Sequence, residues 1–321
     1  MRVLLTGVAG FVGFHVARAL LARGDEVLGL DNLNSYYDTQ LKFDRLTALG
    51  QPQSFQFAKA DIIEPDALKA AVGDFQPDVI IHLAAQAGVR YSLLNPGAYV
   101  DANVRGQLNV LELARHMKRV PRLVYASSSS VYGNRTQTPF REDDRTDSPV
   151  SVYAASKKSA EVLAQSYAHL YGMNLAGLRF FTIYGPWGRP DMAYWMFTDA
   201  ILRDAPIRLF NNGAMRRDFT DIRDILAGLL RIADGERPGH EIYNIGHSEP
   251  VTLARFLAAI EGAVGRKAIV EMAPMQPGDV GDTYADVSKL ADHFGYHPAI
   301  AIEDGIKTFV DWYRTNRLHQ P

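Results

Sequence analysis

The chain has 321 residues, 47% hydrophobic and 22% charged, with a formal net charge of −2 and no cysteine. This balance suits a globular protein of two domains or one large one, and offers nothing to nucleic acid or an anionic membrane. Disulfides, thiolate nucleophiles and cysteine-based metal sites are excluded outright. Glycine breaks the opening run Met-Arg-Val-Leu-Leu-Thr-Gly too early for a signal peptide. No apolar run reaches the ~18 residues of a membrane-spanning helix, so a cytoplasmic protein is expected.

Residues 2–5 read as a short strand, followed by the loop Thr6-Gly7-Val8-Ala9-Gly10-Phe11-Val12-Gly13 and an amphipathic helix to about residue 23. A second strand, 26–30, ends on Asp31. Strand, glycine loop, helix, strand and acid together form a dinucleotide fingerprint, here with Gly-x-x-Gly-x-x-Gly spacing. Glycines let the backbone approach a pyrophosphate seated on the first amides of the helix. Asp31 can accept from an adenosine ribose hydroxyl. A 2′-phosphate would meet that carboxylate, and Asn32-Leu33-Asn34 offers no arginine to receive it, so NAD is expected rather than NADP.

The alternation continues with a strand over 54–58, after which Asp61 can meet an adenine amino group. Residues 65–73 read as a helix. Val79-Ile80-Ile81-His82-Leu83 is a continuous apolar strand of the kind buried in a parallel sheet. Its exit, Ala84-Ala85-Gln86-Ala87-Gly88, leaves room for a flat ligand. A long helix is expected over 98–117. The strand at 123–126 then runs into four hydroxyls, Ser127, Ser128, Ser129 and Ser130.

Ser148 and Pro149 look like the cap and entry of the next helix, with Tyr153 and Lys157 in its first turns. Four apart, those two share one face, with Cβ atoms about 5–6 Å apart. A tyrosine of ordinary pKa, near ~10, is a poor base at neutral pH. An ammonium beside it favours the phenolate. A Tyr–Lys pair facing a serine hydroxyl can therefore move a proton on and off an alcohol. Alone, Tyr-x-x-x-Lys favours a buried Tyr and a solvated Lys, since the pattern is short and both residues are common; the serine-ended strand and the glycine loop shift the balance to the chemical reading.

A strand over 175–181 completes a doubly wound parallel sheet of the Rossmann type. Gly7, Asp31, Asp61, Ala84, Ser127 and Thr182 all fall at carboxyl ends of its strands, where such sheets bind ligands. Beyond 182 the texture changes to an aromatic turn-rich loop at 184–190, helices over 192–203 and 222–233, a strand over 241–245, and helices over 252–264 and 302–313. This half carries Arg189, Arg216 and Arg217, whose forks suit a diphosphate, although Arg216 alone reads as a solvated residue. His82, His169 and His240 show no ligand spacing, and no metal site is expected. The acid-rich loop 141–147 reads as solvated.

Taken together these residues resemble the extended short-chain dehydrogenase/reductase family over nearly the whole chain. The segments at 31–38, 84–91, 127–133, 179–192 and 215–220 look like its UDP-glucuronate 4-epimerase branch. The resemblance implies a tightly held NAD, a UDP-sugar substrate and a homodimer joined through two helices per subunit. It divides the chain into an NAD-binding domain over 1–182, with returning segments near 219–247, and a smaller α/β domain, mainly for the UDP-sugar, over 183–321. It makes Tyr153 the base, Lys157 its electrostatic partner and a ligand of the nicotinamide ribose, and Ser128 the hydroxyl bridging Tyr153 and the sugar O4. It implies cofactor contacts from Gly7, Gly10, Phe11, Val12, Gly13, Asp31, Asn32, Asn34, Asp61, Ile62, Leu83, Ala84, Ala85, Gln86 and Ser127, besides Tyr153 and Lys157. It implies substrate contacts from Arg90, Ser128, Ser129, Ser130, Tyr153, Thr182, Arg189, Arg217 and Asp279. One departure stands out: relatives continue the Arg-Arg-Asp-Phe-Thr motif with Tyr-Ile-Asp-Asp, whereas this chain has Asp221-Ile222-Arg223-Asp224.

Sibling enzymes of the same fold place carboxylates after the catalytic hydroxyl, for dehydration or decarboxylation. Here those positions are Ser129 and Ser130. Neither can act as a strong acid or base at C5, which favours epimerisation at C4. Ser129, Ser130 and Thr182 are candidates to grip a sugar carboxylate. A UDP-glucose or UDP-N-acetylhexosamine 4-epimerase is the alternative enzyme. A non-catalytic NAD-binding regulator is the alternative class, and the intact Ser128–Tyr153–Lys157 set speaks against it.

Overall fold

A strand apolar on both faces needs helices above and below it, and the computed structural model, which describes residues 1–274 and 282–318, supplies them. In chain order the elements are β1 (Arg2–Thr6), α1 (Phe11–Arg23), β2 (Glu26–Asp31), α2 (Gln40–Leu49), β3 (Phe55–Lys59), α3 (Pro65–Val72), β4 (Val79–His82), α4 (Tyr91–Leu94), α5 (Pro96–Val100), a π-helical turn (Asp101–Arg105), α6 (Gly106–Arg115), β5 (Arg122–Ser128), α7 (Val152–Tyr171), β6 (Leu175–Phe180) and β7 (Thr182–Tyr184). There follow α8 (Ala193–Leu202), β8 (Pro206–Phe210), β9 (Arg216–Arg217), β10 (Phe219–Asp221), α9 (Ile222–Asp234), β11 (His240–Ile245), β12 (Val251–Thr252), α10 (Leu253–Val264), β13 (Ile269–Ala273), β14 (Asp282–Thr283), α11 (Ser288–Phe294) and α12 (Ile302–Asn316).

Seven strands form one sheet in the order β11-β6-β5-β4-β1-β2-β3. Every pairing from β3 through to β6 is parallel, with Leu4 opposite both Leu28 and Ile80. The strand order reverses between β1 and β4, the switch point at which such sheets open a crevice. The doubly wound expectation is met. The long helix expected over 98–117 is α5, the π turn and α6 in succession. The strand expected over 175–181 stops at Phe180 and restarts as β7.

The chain divides into two units. The first comprises Met1–Gly133, Asp144–Phe180 and Leu229–Tyr243. Its core sets Leu4, Ile80, Leu123 and Leu175 of the sheet with Val110 and Leu111 of α6 and Ala160 and Ala164 of α7. Each buried leucine of this kind is worth about 1.5–3 kcal/mol. Leu108 of α6 and Val162 and Leu170 of α7 are exposed, as is Val100 at the end of α5.

The second unit comprises Asn134–Asp143, Phe181–Gly228 and Asn244–Pro321. Phe219 and Phe256 stack at its centre, 4.0 Å apart and 5° from parallel. The chain's three tryptophans gather here, Trp312 lying 5.2 Å from Trp187 and 5.6 Å from Trp195. The acid-rich loop is not simply solvated as expected. Phe140 exchanges backbone bonds with Tyr284 and Asp286, and the Glu142 carboxylate accepts from the Asn244 amide at 2.8 Å. Those long-range bonds draw residues 134–143 into the second unit.

The Asp221–Arg223 departure is internally compensated. Asp221 is fully buried, and the Arg223 guanidinium reaches it through Nε and Nη2 at 2.8 and 3.0 Å. The carboxylate that stands in place of Tyr and the guanidinium that stands in place of Asp pair with one another.

Candidate active site

The glycine loop lies at the switch point. Gly7 has φ +76°, a conformation costly for any residue with a side chain. A Cβ on Gly7 would stand 2.7 Å from the Ala84 nitrogen, and one on Gly13 would stand 2.0 Å from the Gly7 carbonyl oxygen. Nothing larger than hydrogen fits, so the loop is drawn tight against the exit of β4. Phe11 and Val12 open α1, which has no acid in its first turn to oppose the positive end of the helix. This cradle fits a dinucleotide pyrophosphate.

Asp31 stands at the end of β2 with Oδ2 accepting from the Ala9 amide at 3.1 Å and Oδ1 from the Leu33 amide at 2.8 Å. A carboxylate has about four acceptor positions, so it retains capacity for ribose hydroxyls. Asp61 holds Asn32 through its amide at 2.9 Å, next to buried Ile62. The sequence reading missed what lies behind them. The Lys42 ammonium of α2, buried, sits 3.6 Å from Asp31 and donates to the Asn34 side-chain Oδ1 at 3.2 Å. Burial lowers its pKa. Arg45, wholly buried, donates to the Ala9 carbonyl and the Tyr37 hydroxyl. A helix burying cations defeats a hydrophobic periodicity search.

Leu83, Ala84, Ala85 and Gln86 leave β4 under tight control. Leu83 and Ala84 donate to the carbonyl and hydroxyl oxygens of Thr6. The Asn103 side chain, inside the π turn, takes the Gln86 amide at 2.8 Å and gives to the Gln86 carbonyl and to Ser156, each at 2.9 Å. Asn103 thus ties this exit to α7 one residue before Lys157. No local pattern marked it, because π turns have no sequence signature here, though they gather at functional sites.

The helix carrying Tyr153 and Lys157 begins later than expected. Its cap is Ser151, whose hydroxyl accepts from the Ala154 amide at 3.0 Å, and not Ser148 with Pro149. The Lys157 ammonium donates to the Ala126 carbonyl at 2.9 Å, at the mouth of the serine segment. Burial pulls its pKa down to about 8. His82 is held near 3 by burial and by Lys157, so it is neutral, and its Nδ1 lies 2.6 Å from the Thr6 hydroxyl. The Tyr153 ring meets Tyr99 edge-on at 5.9 Å, and Tyr99 continues through Tyr91 to Tyr36 as a row of aromatic contacts.

Ser127 and Ser128 end β5, and Ser129–Tyr132 form a 3₁₀ turn. Ser128 caps that turn, accepting from the Ser130 amide at 3.2 Å, with the Ser130 hydroxyl at the same distance. The hydroxyl expected at the chemistry therefore also shapes the turn. Beneath it, the Ser127 hydroxyl donates to buried Glu161. Arg90 is exposed where α4 begins.

In the second unit, Thr182 opens β7 and its amide donates to the Asp218 carbonyl. The Arg189 fork pairs with Asp191 at 3.0 and 2.8 Å, in a loop where Gly185 has φ +145° and Trp187 φ +61°. Arg217 lies in β9 and donates to the Arg216 carbonyl, while Arg216 pairs with Asp282. Asp279 lies outside the described residues. Among the described residues no group of three or more His, Asp or Glu side chains could hold a metal ion, and no helix is long and apolar enough to cross a membrane.

A family model described as the NAD dependent epimerase/dehydratase family matches residues 3–246. Protein CapI of Staphylococcus aureus is 46% identical, with 98% of each chain covered. The probable UDP-glucuronate 4-epimerase of Rhizobium meliloti (strain 1021) is 45% identical, again over 98% of each. The crystal structure of UDP-glucuronic acid 4-epimerase from Bacillus cereus, in complex with UDP-glucuronic acid and NAD, matches with a TM-score of 0.92 at 32% identity, covering 98% of this chain and 99% of that one.

Proposed function

This chain belongs to the NAD dependent epimerase/dehydratase family, and from that premise we propose that it interconverts UDP-glucuronate and UDP-galacturonate by inverting C4. The observation that carries this reading is the turn at 127–130. It offers neutral hydroxyls where a dehydratase or decarboxylase needs a carboxylate, and it stands beside an intact Tyr153–Lys157 helix.

In this reading Tyr153 takes the proton from the sugar O4 and returns it, and Ser128 bridges the two oxygens. Lys157 holds its positive charge near the phenol and the nicotinamide ribose. The chemistry that bound NAD supplies is acceptance of the C4 hydride and its return to the opposite face. The cofactor contacts are those of the glycine cradle, Gly7, Gly10, Phe11, Val12 and Gly13, with Asp31, Asn32, Asn34, Asp61, Ile62, the 83–86 exit and Ser127. The ketone at C4 makes the sugar a β-keto acid, prone to lose CO₂. Ser129 and Ser130 grip its carboxylate and keep the C5–C6 bond out of the alignment that cleavage requires. Arg90, Thr182, Arg189, Arg217 and Asp279 complete the proposed set of UDP-sugar ligands, with the second unit mainly serving the UDP-sugar. We extend the proposal to a homodimer and to a cytoplasmic setting; a chain without cysteine is compatible with the latter. The exposed Val100, Leu108, Val162 and Leu170 on neighbouring helices suit the former.

The deciding experiment incubates the purified protein with UDP-glucuronate and, separately, UDP-glucose, with products identified by NMR. UDP-galacturonate with little CO₂ is expected. Turnover of UDP-glucose alone would make the protein a different epimerase.

A further inference from the structure

Under the serine turn lies an ion pair that the chemistry above does not use. Glu161 and Arg179 are each 3% exposed and joined by two parallel bonds, Nε to Oε1 at 2.8 Å and Nη2 to Oε2 at 2.9 Å. Glu161 is one helical turn beyond Lys157 on α7, and Arg179 stands opposite Ser127 in the β5–β6 ladder. The pair reaches both ends of the turn. The Ser127 hydroxyl donates to Glu161 Oε1 at 2.7 Å, and Arg179 Nη1 donates to the Tyr132 hydroxyl at 2.9 Å, with the guanidinium 4.8 Å above the Tyr132 ring. Ser128, Ser129, Ser130 and Val131 are the residues between these two anchors.

A buried ion pair is a weak source of stability, because desolvating two charges offsets most of their attraction. What it supplies here is direction: a bidentate fork has one geometry, and it holds two hydroxyls at a fixed separation. We propose that Glu161 and Arg179 are positioning residues that set the Ser128–Ser130 turn and thereby keep the 4-keto intermediate from losing its carboxylate. The inference rests on the UDP-glucuronate reading above. The competing step is the following. Removal of the O4 proton and the C4 hydride leaves a ketone at C4. The C5–C6 bond then breaks, CO₂ departs, and the bonding pair becomes the enolate of C4–C5. A proton from solvent closes C5, and hydride return to C4 gives a UDP-pentose in place of a UDP-hexuronate. A turn free to rock would let the carboxylate rotate into the alignment for this loss.

The test cuts the links and leaves the pair in place. Tyr132→Phe keeps the ring under Arg179 but removes the hydroxyl; Ser127→Ala removes the other link. Product partitioning from UDP-glucuronate is read by NMR, and binding of UDP-glucuronate and UDP-glucose is measured by calorimetry. In Tyr132→Phe the UDP-pentose share should rise about threefold to tenfold, the scale of one lost hydrogen bond. Binding of UDP-glucuronate should weaken by a similar factor relative to UDP-glucose. Ser127→Ala should change the partition in the same direction. An unchanged partition and unchanged relative binding in Tyr132→Phe, whatever happens to its melting temperature, overturns the proposal and leaves the pair a structural one. A wild type inactive on UDP-glucuronate overturns the functional reading itself, a result distinct from unchanged partitioning by an active enzyme.

Discussion

Lys157 is charged in a place with little water, and its proton is correspondingly loose. The unfolded chain keeps that proton up to about 10.5, the folded one only to about 8. Between those values the unfolded state binds more protons, so this group's contribution to stability rises with pH; below about 8 the buried charge is a steady cost. Lys157→Met should therefore be more stable than the wild type at neutral pH, by at most about 3 kcal/mol, and the gap should close towards pH ~10. Urea midpoints of the cofactor-free proteins across that range measure it, and a gap independent of pH would contradict the buried-charge account. Tyr153→Phe should cost ~10²–10⁴-fold in turnover, the usual worth of a general base, while calorimetry still finds UDP-sugar binding. Near-normal turnover would move the proton transfer to another group. Tyr153, Lys157 and the serines stood out in the sequence because their types and spacing suit the proposed chemistry. Glu161, Arg179 and Asn103 were not, since each acts through partners between 17 and 53 residues away in sequence.

At the scale of elements, the strands of the seven-stranded sheet and α1 follow from apolar runs and glycine spacing. α2 was missed because it buries Lys42 and Arg45 where a periodicity search wants leucine. β8 and β13 were missed because a two-stranded ribbon outside the main sheet needs only short runs, one of them starting with Pro206. The cap of α7 was misjudged by three residues: Ser148, Ser151 and Pro149 are all plausible caps or entries, and only the Ser151–Ala154 bond decides. The loop before α1 yields the sharpest prediction. Gly13→Ala places a carbon 2.0 Å from the Gly7 carbonyl oxygen. The loop must move, and the variant should purify folded by circular dichroism but without dinucleotide. Denatured wild type should release NAD, and a variant releasing as much would show that the cradle tolerates the shift.

For the molecule as a whole, the helical surface bearing Val100 and Val162, 52% and 54% exposed, is the face proposed to meet a second copy. A charge there would be buried unpaired in a dimer and solvated in a monomer. Val100→Asp combined with Val162→Asp should shift sedimentation from dimer to monomer with little change in the ellipticity of the subunit. A double variant that sediments as the wild type does would remove these helices from the interface. The two-unit organisation was only partly visible in the sequence, because residues 134–143 join the second unit through backbone bonds to Tyr284 and Asp286, which leave no mark on local composition.

The tryptophan cluster has a practical corollary. Trp187, Trp195 and Trp312 are the chain's whole complement of indoles, and all three belong to the second unit. Intrinsic indole emission is therefore a private signal of that unit, silent about the sheet that bears the glycine loop, whereas far-ultraviolet ellipticity sums over both. Denaturation followed by the two optical probes at once compares one half of the chain with the whole. Coincident transitions would mean that the units melt as a single cooperative body, and separated ones that each has a stability of its own. Trp187, two residues from Arg189, also makes that same emission a direct optical gauge of the loop proposed to receive the UDP-sugar.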